Sequence, residues 1–320
     1  MAEYKHLQVN PDREIKTDLS FACFAYSGYR DFSAQAVNAI QEIKTNPLHE
    51  SLVFHKEVKN QVNQWLANMI AKEAISFKNE QPDATQKYRQ NISSLEKIIQ
   101  TLLKSDVRFE LQTNPTDLVL KKNGTTLDFD VIPDGLKSII SWVGDLLMRL
   151  DRLSWVDDVP IFERNIILFL DEIEVHLHPK WQMKILPIVQ QLFPHAQIFI
   201  STHSPFVVNS VDDAWIYKLK LDEKGVSTCA APQLSETGKS YSLILDEIFD
   251  VEESFGLETE EKLNRFYGFR NDILAGKTVD EPAFSALIND LLTEGIEVEQ
   301  MVGQELRQIK RIVNKDFAIL

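Results

Sequence analysis

The sequence predicts an α/β protein with a parallel core sheet, a helical insertion and a helical C-terminal tail. Two apolar strands flank a helix that runs from about Lys180 to Leu192: the first ends at Leu170, and the second lies in HAQIFISTHSPFVV, with Thr202, His203 and Ser204 at its end. A strand, a helix and a second strand in this order form a β-α-β unit with parallel strands. Strands that are buried on both faces are continuously apolar, as these two are.

Composition narrows the class of protein before any motif is considered. The chain has 320 residues, of which 44% are hydrophobic, enough for one large domain or two ordinary ones. Its net charge of −14 excludes a general basic surface, so contact with DNA would require a local patch or a partner. Two cysteines make a disulfide framework improbable. Without a signal peptide or a membrane-length apolar run, we expect a cytoplasmic protein that does not bind membranes.

Four regions follow one another along the chain. Residues 1–49 contain an apolar run, Leu19 to Tyr26, that predicts a buried strand of a partial core. Residues 50–105 show helical spacing of apolar side chains and lack sustained heptads, which favours a packed helical insertion over a coiled-coil arm. Residues 106–235 begin with a predicted hairpin and continue into the rest of the core, and residues 236–320 form an acidic helical region.

Polar residues follow both apolar strands of the β-α-β unit. Asp171 and Glu172 come directly after the first strand, and His203 comes after the second. Functional side chains of parallel sheets collect at the carboxyl ends of the strands. One carboxylate there can hold Mg²⁺, its neighbour can polarise an attacking water, and a histidine can reach a transferred phosphate. This pattern is typical of phosphoanhydride hydrolysis.

Three segments resemble a known family. LFLDEIEVHLHP and IFISTHSP are similar to the Walker B and histidine-switch elements of ABC-type ATPases of the RecF/SMC/OLD group, called AAA_21-like. IPDGLKSIISWVGDLL is similar to their signature motif and its helix. The resemblance covers roughly residues 20 to 320 as a C-terminal lobe and is most specific over residues 132 to 210. It implies a P-loop-NTPase-like head that binds ATP and Mg²⁺ in bacterial repair or anti-phage systems.

The resemblance assigns roles to individual residues. It implies that Asp171 organises Mg²⁺, that Glu172 is the catalytic base and that His203 senses the γ-phosphate. Gly135 and the first turn of its helix would contact nucleotide bound by a partner subunit. We expect Gly135→Arg to block dimerisation while leaving the monomer fold intact.

Two further residues complete the predicted nucleotide contacts. Ser138, or Lys137, would help the backbone N–H groups at the helix start, because Pro133 stands where the family commonly has a serine. Arg30, in AYSGYR, resembles a loop that contacts the nucleotide region, and a surface salt bridge is an equally good interpretation.

The sequence contains no GxxxxGK[ST] phosphate loop. Its one GKS, Gly238 to Ser240, lacks the first glycine and is best interpreted as an ordinary loop. By family analogy the phosphate loop would precede Met1 by about a hundred residues. The sequence leaves open whether that loop is lost by truncation or supplied by another chain. In either case we expect the 320-residue chain alone not to hydrolyse ATP.

Two metal interpretations compete with the ATPase. His176 and His178 form an H-x-H pair, but no further Cys or His ligand lies nearby in the sequence. Asp128 and Asp130, with Glu172, would suit a metal-dependent nuclease, although the pair lies beside a hairpin and not at a strand end of the core.

The leading hypothesis is an ATPase subunit that homodimerises through its heads on binding ATP and gates a nuclease or another effector subunit in DNA repair or phage defence. The alternative is a non-catalytic interaction module with a degenerate ATPase fold, and the second alternative is the metal-dependent nuclease.

Overall fold

The computed structural model describes residues 21–28, 37–53, 61–114, 116–127, 129–153 and 159–313. The chain divides into two compact units, residues 1–241 and 242–320. None of the helices in the described ranges is long and apolar enough to cross a membrane.

The first unit contains a parallel sheet, two antiparallel pairs, a hairpin with a third strand, and most of the helices. The elements in chain order are β1 (Ala22–Tyr26), α1 (Val62–Lys78), α2 (Pro82–Leu103), β2 (Val107–Thr113), β3 (Thr116–Lys122), β4 (Thr125–Leu127), α3 (Asp134–Asp151), β5 (Ile166–Leu170), α4 (Pro179–Leu192), β6 (Ala196–Ile200), α5 (Pro205–Val208), β7 (Trp215–Ile216), β8 (Leu219–Leu221), β9 (Ser227–Cys229) and β10 (Gln233–Leu234). Short 3-10 helices occupy Phe129–Val131 and Ile161–Glu163. α6 (Tyr241–Phe249) spans the boundary between the two units.

The parallel sheet has the strand order β1-β5-β6, so the central strand is β5. The predicted β-α-β unit is therefore present, with α4 as its crossover. The register aligns Tyr26 with Leu170 and Leu170 with Ile200. All three strands thus end at the same level, and the residues that follow them share one edge of the sheet.

One face of this sheet packs into the main hydrophobic core. Phe24 and Leu168 are fully buried there, and Ile198 packs against the same core. The opposite face carries Phe169 and Phe199, whose rings stack at a centroid distance of 5.0 Å. Alternate residues of a strand point to opposite faces, which explains the division.

The helical insertion packs into the core of the first unit. α1 lies so close to α3 that a Cβ added at Gly144 would come 2.6 Å from Val62 Cγ1. The indole N–H of Trp65 donates to Asp151 of α3 at 3.1 Å, and the Asn91 amide of α2 donates to the same carboxylate at 2.8 Å. The helices therefore pack into the body of the first unit.

Residues 37–53 lie along α1 and α3, held by side-chain donors. Arg149 donates to the carbonyls of Pro47 and His49 at 2.7 and 2.9 Å, and Asp145 accepts from both Arg149 and Tyr26. Burial lowers the pKa of Arg149, but the neighbouring Asp145 carboxylate and Tyr26 outweigh it and leave that pKa above its ordinary value. The network connects the end of β1 to the middle of α3.

The second unit has a core of its own, formed by α7 (Leu257–Leu274), α8 (Glu281–Leu291) and α9 (Ile296–Val313). Phe266 and Phe284 are fully buried in its core and their rings stack at 5.5 Å. Lys262 contacts three carboxylates, those of Glu258, Asp290 and Glu294.

Candidate active site at the carboxyl edge of the sheet

The three strand ends bring the predicted residues to one edge. Backbone hydrogen bonds continue one residue beyond the strands, from Asp171 N–H to the Tyr26 carbonyl at 2.9 Å and from Ser201 N–H to the Leu170 carbonyl at 3.0 Å. Asp171 and Ser201 are therefore fixed by the sheet itself. Glu172 and Thr202 follow them directly, where the chain leaves the sheet.

Ser201 connects Asp171, the predicted Mg²⁺ residue, with Glu172, the predicted catalytic base. Its hydroxyl donates to Asp171 Oδ1 and accepts the backbone N–H of Glu172 at 3.0 Å. A single hydroxyl can do both because it has one donor and two acceptor sites. The side chain thus fixes the Asp171 carboxylate relative to the backbone of Glu172.

Glu172 adopts a left-handed backbone conformation, with φ of 45°. This region is uncommon for residues other than glycine, and strained residues of this kind concentrate at functional sites. Among the described residues, no hydrogen bond reaches the exposed Glu172 carboxylate, whereas its N–H is held by Ser201. The backbone of Glu172 is therefore fixed while its carboxylate stays open to a ligand.

Gly28 makes room for that carboxylate. A Cβ added at Gly28 would come 2.9 Å from Glu172 Oε2 and 3.1 Å from Glu172 Cβ. The end of β1 and the end of β5 therefore approach so closely at this point that only a residue without a side chain fits without a shift.

A third carboxylate, Glu174, bonds to the segment that carries His203. Glu174 Oε2 accepts the Thr202 hydroxyl at 2.7 Å, and Glu174 Oε1 accepts the backbone N–H of His203 at 2.5 Å. Glu174 is half-buried and His203 is exposed. The turn after β5 thus holds the loop after β6 through both oxygens of one side chain.

The start of α3 is buried more deeply than the sequence suggests. Gly135 is buried, and a Cβ added there would come 2.5 Å from the carbonyl oxygen of His176 in the same chain. The expectation that Gly135→Arg leaves the monomer fold intact is therefore wrong, because any side chain at this position collides with the chain's own backbone. Asp134 and Pro133, in contrast, are exposed.

Ser138 also lies inside the protein. It is 1% exposed, and its hydroxyl has no hydrogen-bond partner among the described residues. The contact of Ser138 with nucleotide stays a prediction. Because Ser138 is buried, such a contact would require the start of α3 to move. Lys137 is partly exposed, and its ammonium lies 3.5 Å from the Asp134 carboxylate.

The remaining predicted residues lie elsewhere or outside the described ranges. Arg30 and Asp128 fall outside the described residues, and Asp130 lies in a 3-10 helix with its side chain outside them. His178 caps α4 by accepting the N–H of Lys180 at 3.2 Å. In the described part of the chain, no group of three or more His, Cys, Asp or Glu side chains could hold a metal ion.

The donor set at the edge fits Mg²⁺ bound together with nucleotide. Asp171 supplies a carboxylate oxygen and Ser201 a hydroxyl, and both are hard oxygen ligands. Mg²⁺ in nucleotide sites takes one or two protein carboxylates, with phosphates and water completing its shell. The small number of protein donors agrees with such a site and does not suit a metal held by protein alone.

Three positioning residues were not identified from the sequence. Ser201 and Glu174 act through contacts across about thirty positions of chain, which no local pattern reveals. Gly28 lies in the AYSGYR segment that resembles a nucleotide-contacting loop, and the sequence does not reveal that its close neighbour is the Glu172 side chain. The parallel sheet predicts that these segments meet but not which side chain bonds to which.

Comparison with known proteins supports the same family. Residues 28–209 match the AAA_21 family, described as "AAA domain, putative AbiEii toxin, Type IV TA system". The chain is 29% identical over 226 residues to the "Retron Ec83 probable ATPase" of Escherichia coli, covering 71% of this chain and 40% of that protein. It is 30% identical over 208 residues to the "Retron Vc95 probable ATPase" of Vibrio cholerae serotype O1 biovar El Tor, covering 57% of this chain and 40% of that protein.

Solved structures include an SMC head bound to the C-winged helix domain of ScpA. It aligns with a TM-score of 0.37 and 12% identity over 55% of this chain and 54% of that chain. The chain spans two fifths of the length of each retron relative. Since the family match covers more than half of the sequence, the chain belongs to the AAA_21 family.

Proposed function

We propose that the carboxyl edge of the sheet is the catalytic half of an ATP-hydrolysing site. The observation that carries the proposal is that Asp171, Glu172 and His203 follow strand ends at one edge, where Ser201 bonds Asp171 to the Glu172 backbone and Glu174 bonds the His203 backbone. Phosphoryl transfer needs little covalent chemistry from the protein and depends on positioning and electrostatics. A rigid edge with one open carboxylate suits that requirement.

Each residue has a separate task in this proposal. The Glu172 carboxylate orients the attacking water and accepts its proton. His203 approaches the γ-phosphate of ATP from the neighbouring strand end. Asp171, with Ser201, would hold Mg²⁺, which when bound neutralises charge on the β- and γ-phosphate oxygens. The hydrogen bond from Ser201 keeps the Asp171 carboxylate in place for that purpose.

The phosphate cradle must come from outside these 320 residues, because the sequence contains no GxxxxGK[ST] loop. We therefore propose that ATP is bound by an assembly that includes this chain and a phosphate loop. The first turn of α3, through its exposed residue Asp134, would approach nucleotide held by a second head, so that ATP brings two heads together. The dimer would act on a nuclease or another effector subunit.

The cellular role that we propose is phage defence in the cytoplasm. The family match and the two retron relatives support it. A net charge of −14 disfavours direct non-specific binding to DNA, so we assign any contact with DNA to a local patch or a partner. DNA repair is the second role to which such a head is suited.

The test is ATP hydrolysis by the assembly purified with its natural partners. Glu172→Gln keeps the shape of the side chain and removes the base, so we expect turnover to fall by about 10²-fold or more while ATP still binds. Glu163→Gln is the matched control, since Glu163 is an exposed glutamate whose carboxylate lies 3.1 Å from His195 Nε2. The 320-residue chain alone should not turn over ATP.

Two results would contradict the assignment. Equal turnover in Glu172→Gln and Glu163→Gln would show that Glu172 is not the catalytic base. Absence of ATP binding by the natural assembly would favour the non-catalytic interaction module, which the lack of a phosphate loop in this sequence makes the second candidate.

Head dimerisation needs its own variant, because Gly135 cannot be used. Asp134→Trp places a bulky side chain at the exposed residue of the first turn of α3, and Asp83→Trp does the same at an exposed residue of the first turn of α2. Light scattering of the assembly should show an ATP-dependent dimer for Asp83→Trp and none for Asp134→Trp. ATP-dependent dimers in both variants would exclude α3 from the interface.

A further inference from the structure

We propose that Glu174 is a positioning residue that fixes His203 relative to the carboxylates at the edge. This inference rests on the proposed ATPase site and adds a residue to it. Glu174 does not reach toward the open Glu172 carboxylate. Its two oxygens are instead occupied by the Thr202 hydroxyl and the His203 N–H.

The backbone after β6 needs such a partner. Ladder bonding between β5 and β6 ends with the Ser201 N–H, and the described backbone from Ser201 to Ser204 is neither helix nor strand. The His203 N–H therefore has no ladder partner, and its acceptor is Glu174 at 2.5 Å. A hydrogen bond to an ionised carboxylate is stronger than one between neutral groups.

A second anchor holds the far end of the same segment. The Ser204 hydroxyl donates to Gln182 Oε1 at 2.6 Å and accepts the N–H of Phe206 at 3.1 Å. The Ser204 N–H donates back to Thr202 Oγ1 at 3.0 Å. Glu174 and Gln182 both belong to the stretch that follows β5, so the loop after β6 is tied twice to the segment that carries Asp171 and Glu172.

These contacts make the position of His203 depend on Glu174 more than on the sheet. The sheet fixes Ser201, and the next two residues are held by one carboxylate. Removal of that carboxylate leaves the His203 N–H without its acceptor and allows His203 to move, while the strands stay paired. A purely structural glutamate would instead loosen the strands as well.

Hydrogen exchange on the 320-residue chain tests this without ATP. We expect Glu174→Ala to speed exchange of the His203 amide by about tenfold or more, because a charge-assisted bond is lost. Amides within β5 and β6 should keep wild-type rates. Glu174→Gln retains one carbonyl acceptor and should lie between wild type and Glu174→Ala, and Glu163→Gln should match wild type.

The proposal is overturned if Glu174→Ala leaves exchange at His203 unchanged. It is also overturned if exchange rises throughout β5 and β6 to the same degree, since Glu174 would then support the fold and not His203. Partial recovery in Glu174→Gln supports the hydrogen bond as the cause.

Kinetics of the natural assembly provide a second readout. Glu174→Ala should lower kcat by about tenfold and change the KM for ATP little, because His203 acts on the reacting phosphate and not on the main phosphate cradle. If the KM for ATP rises by as large a factor as kcat falls, the positioning role is contradicted. If the wild-type assembly does not hydrolyse ATP, the proposed function fails, and the exchange experiment still decides whether Glu174 holds His203.

Discussion

Carboxylates join distant elements in two regions of the first unit, the helical body and the carboxyl edge of the sheet. The two regions differ in whether every carboxylate has a hydrogen-bond partner. In the helical body, Asp151 accepts from Trp65 and Asn91. The buried Glu96 accepts the backbone N–H of Phe109 at 2.8 Å. These interior carboxylates face partners of the same unit, and their contribution is to packing and stability.

At the carboxyl edge of the sheet the same residue types leave one group unoccupied. Asp171 is bonded to Ser201, and Glu174 is bonded to Thr202 and His203. Glu172 stands between them, exposed, with its backbone N–H fixed by Ser201. The edge thus fixes the backbone of Glu172 and leaves its carboxylate without a hydrogen bond among the described residues, which suits the general base that we propose.

The variant with the largest expected effect is Gly28→Ala, which should lower turnover at the edge of the sheet and leave the stability of the helical body unchanged. Gly28→Ala adds a Cβ that would meet Glu172 Oε2 at 2.9 Å, so the carboxylate must shift. We expect turnover by the natural assembly to fall by about 10²-fold, since misplacement of a reacting group by about 1 Å has this cost. Because the interior carboxylates are untouched, stability to urea should change by less than about 0.5 kcal/mol.

Gly238→Ala is the matched control for Gly28→Ala. Nothing lies within 4 Å of a Cβ at Gly238, and its backbone is not in the left-handed region. Its turnover should equal that of wild type. Full activity in Gly28→Ala would mean that the Glu172 carboxylate need not occupy its observed position.

Asp151 tests the other half of the comparison. Asp151→Ala leaves the donors of Trp65 and Asn91 without their acceptor, and we expect a loss of about 1–3 kcal/mol in the free energy of unfolding. Urea unfolding of the 320-residue chain measures it. Asp151→Asn keeps a carbonyl acceptor and should lose less. An unchanged midpoint in Asp151→Ala would show that this carboxylate does not support the helical body.

Glu96 gives a smaller, pH-dependent effect. Burial raises the pKa of Glu96, although the Phe109 N–H and Arg89 oppose the shift. The folded state therefore holds the proton more tightly than the unfolded state. The stability from this group is complete below its unfolded pKa and is lost as pH rises through its folded pKa.

Glu96→Gln removes that titration while keeping an acceptor for Phe109. The stability of Glu96→Gln relative to wild type should therefore increase between about pH 4 and pH 7. Urea unfolding at several pH values measures this difference. A difference that stays constant or decreases with pH would show that burial does not disfavour the charged form of Glu96.

The sequence predicted the elements of the fold better than the contacts of the site. Apolar runs identified the strands that end at Leu170 and Ile200, but the expectation that both of their faces are buried is wrong for β6, because Phe199 on the face opposite the core is 46% exposed. The positions of Asp171, Glu172 and His203 follow from strand ends alone. Such local patterns extend over a few residues, and the pairing of the strands in the sheet then brings the strand ends side by side.

The contacts at the start of α3 and around Glu174 could not be predicted in the same way. Gly135 resembles an interface glycine in sequence, whereas its neighbour is the carbonyl of His176, whose φ of 63° directs the turn after β5. Glu174 appears in sequence as one more carboxylate after a strand. Its role depends on the relative placement of two loops, which is set by the sheet register and not by spacing.

The most direct test of the central claim is the identity of the nucleotide held after a single turnover. The natural assembly is mixed with a small amount of ATP labelled on the γ-phosphate, and bound nucleotide is analysed over time for wild type and Glu172→Gln. If Glu172 is the base, wild type converts bound ATP to ADP, and Glu172→Gln retains it as ATP at least about 10² times longer. Conversion of bound ATP to ADP at the same rate in both proteins would contradict the claim.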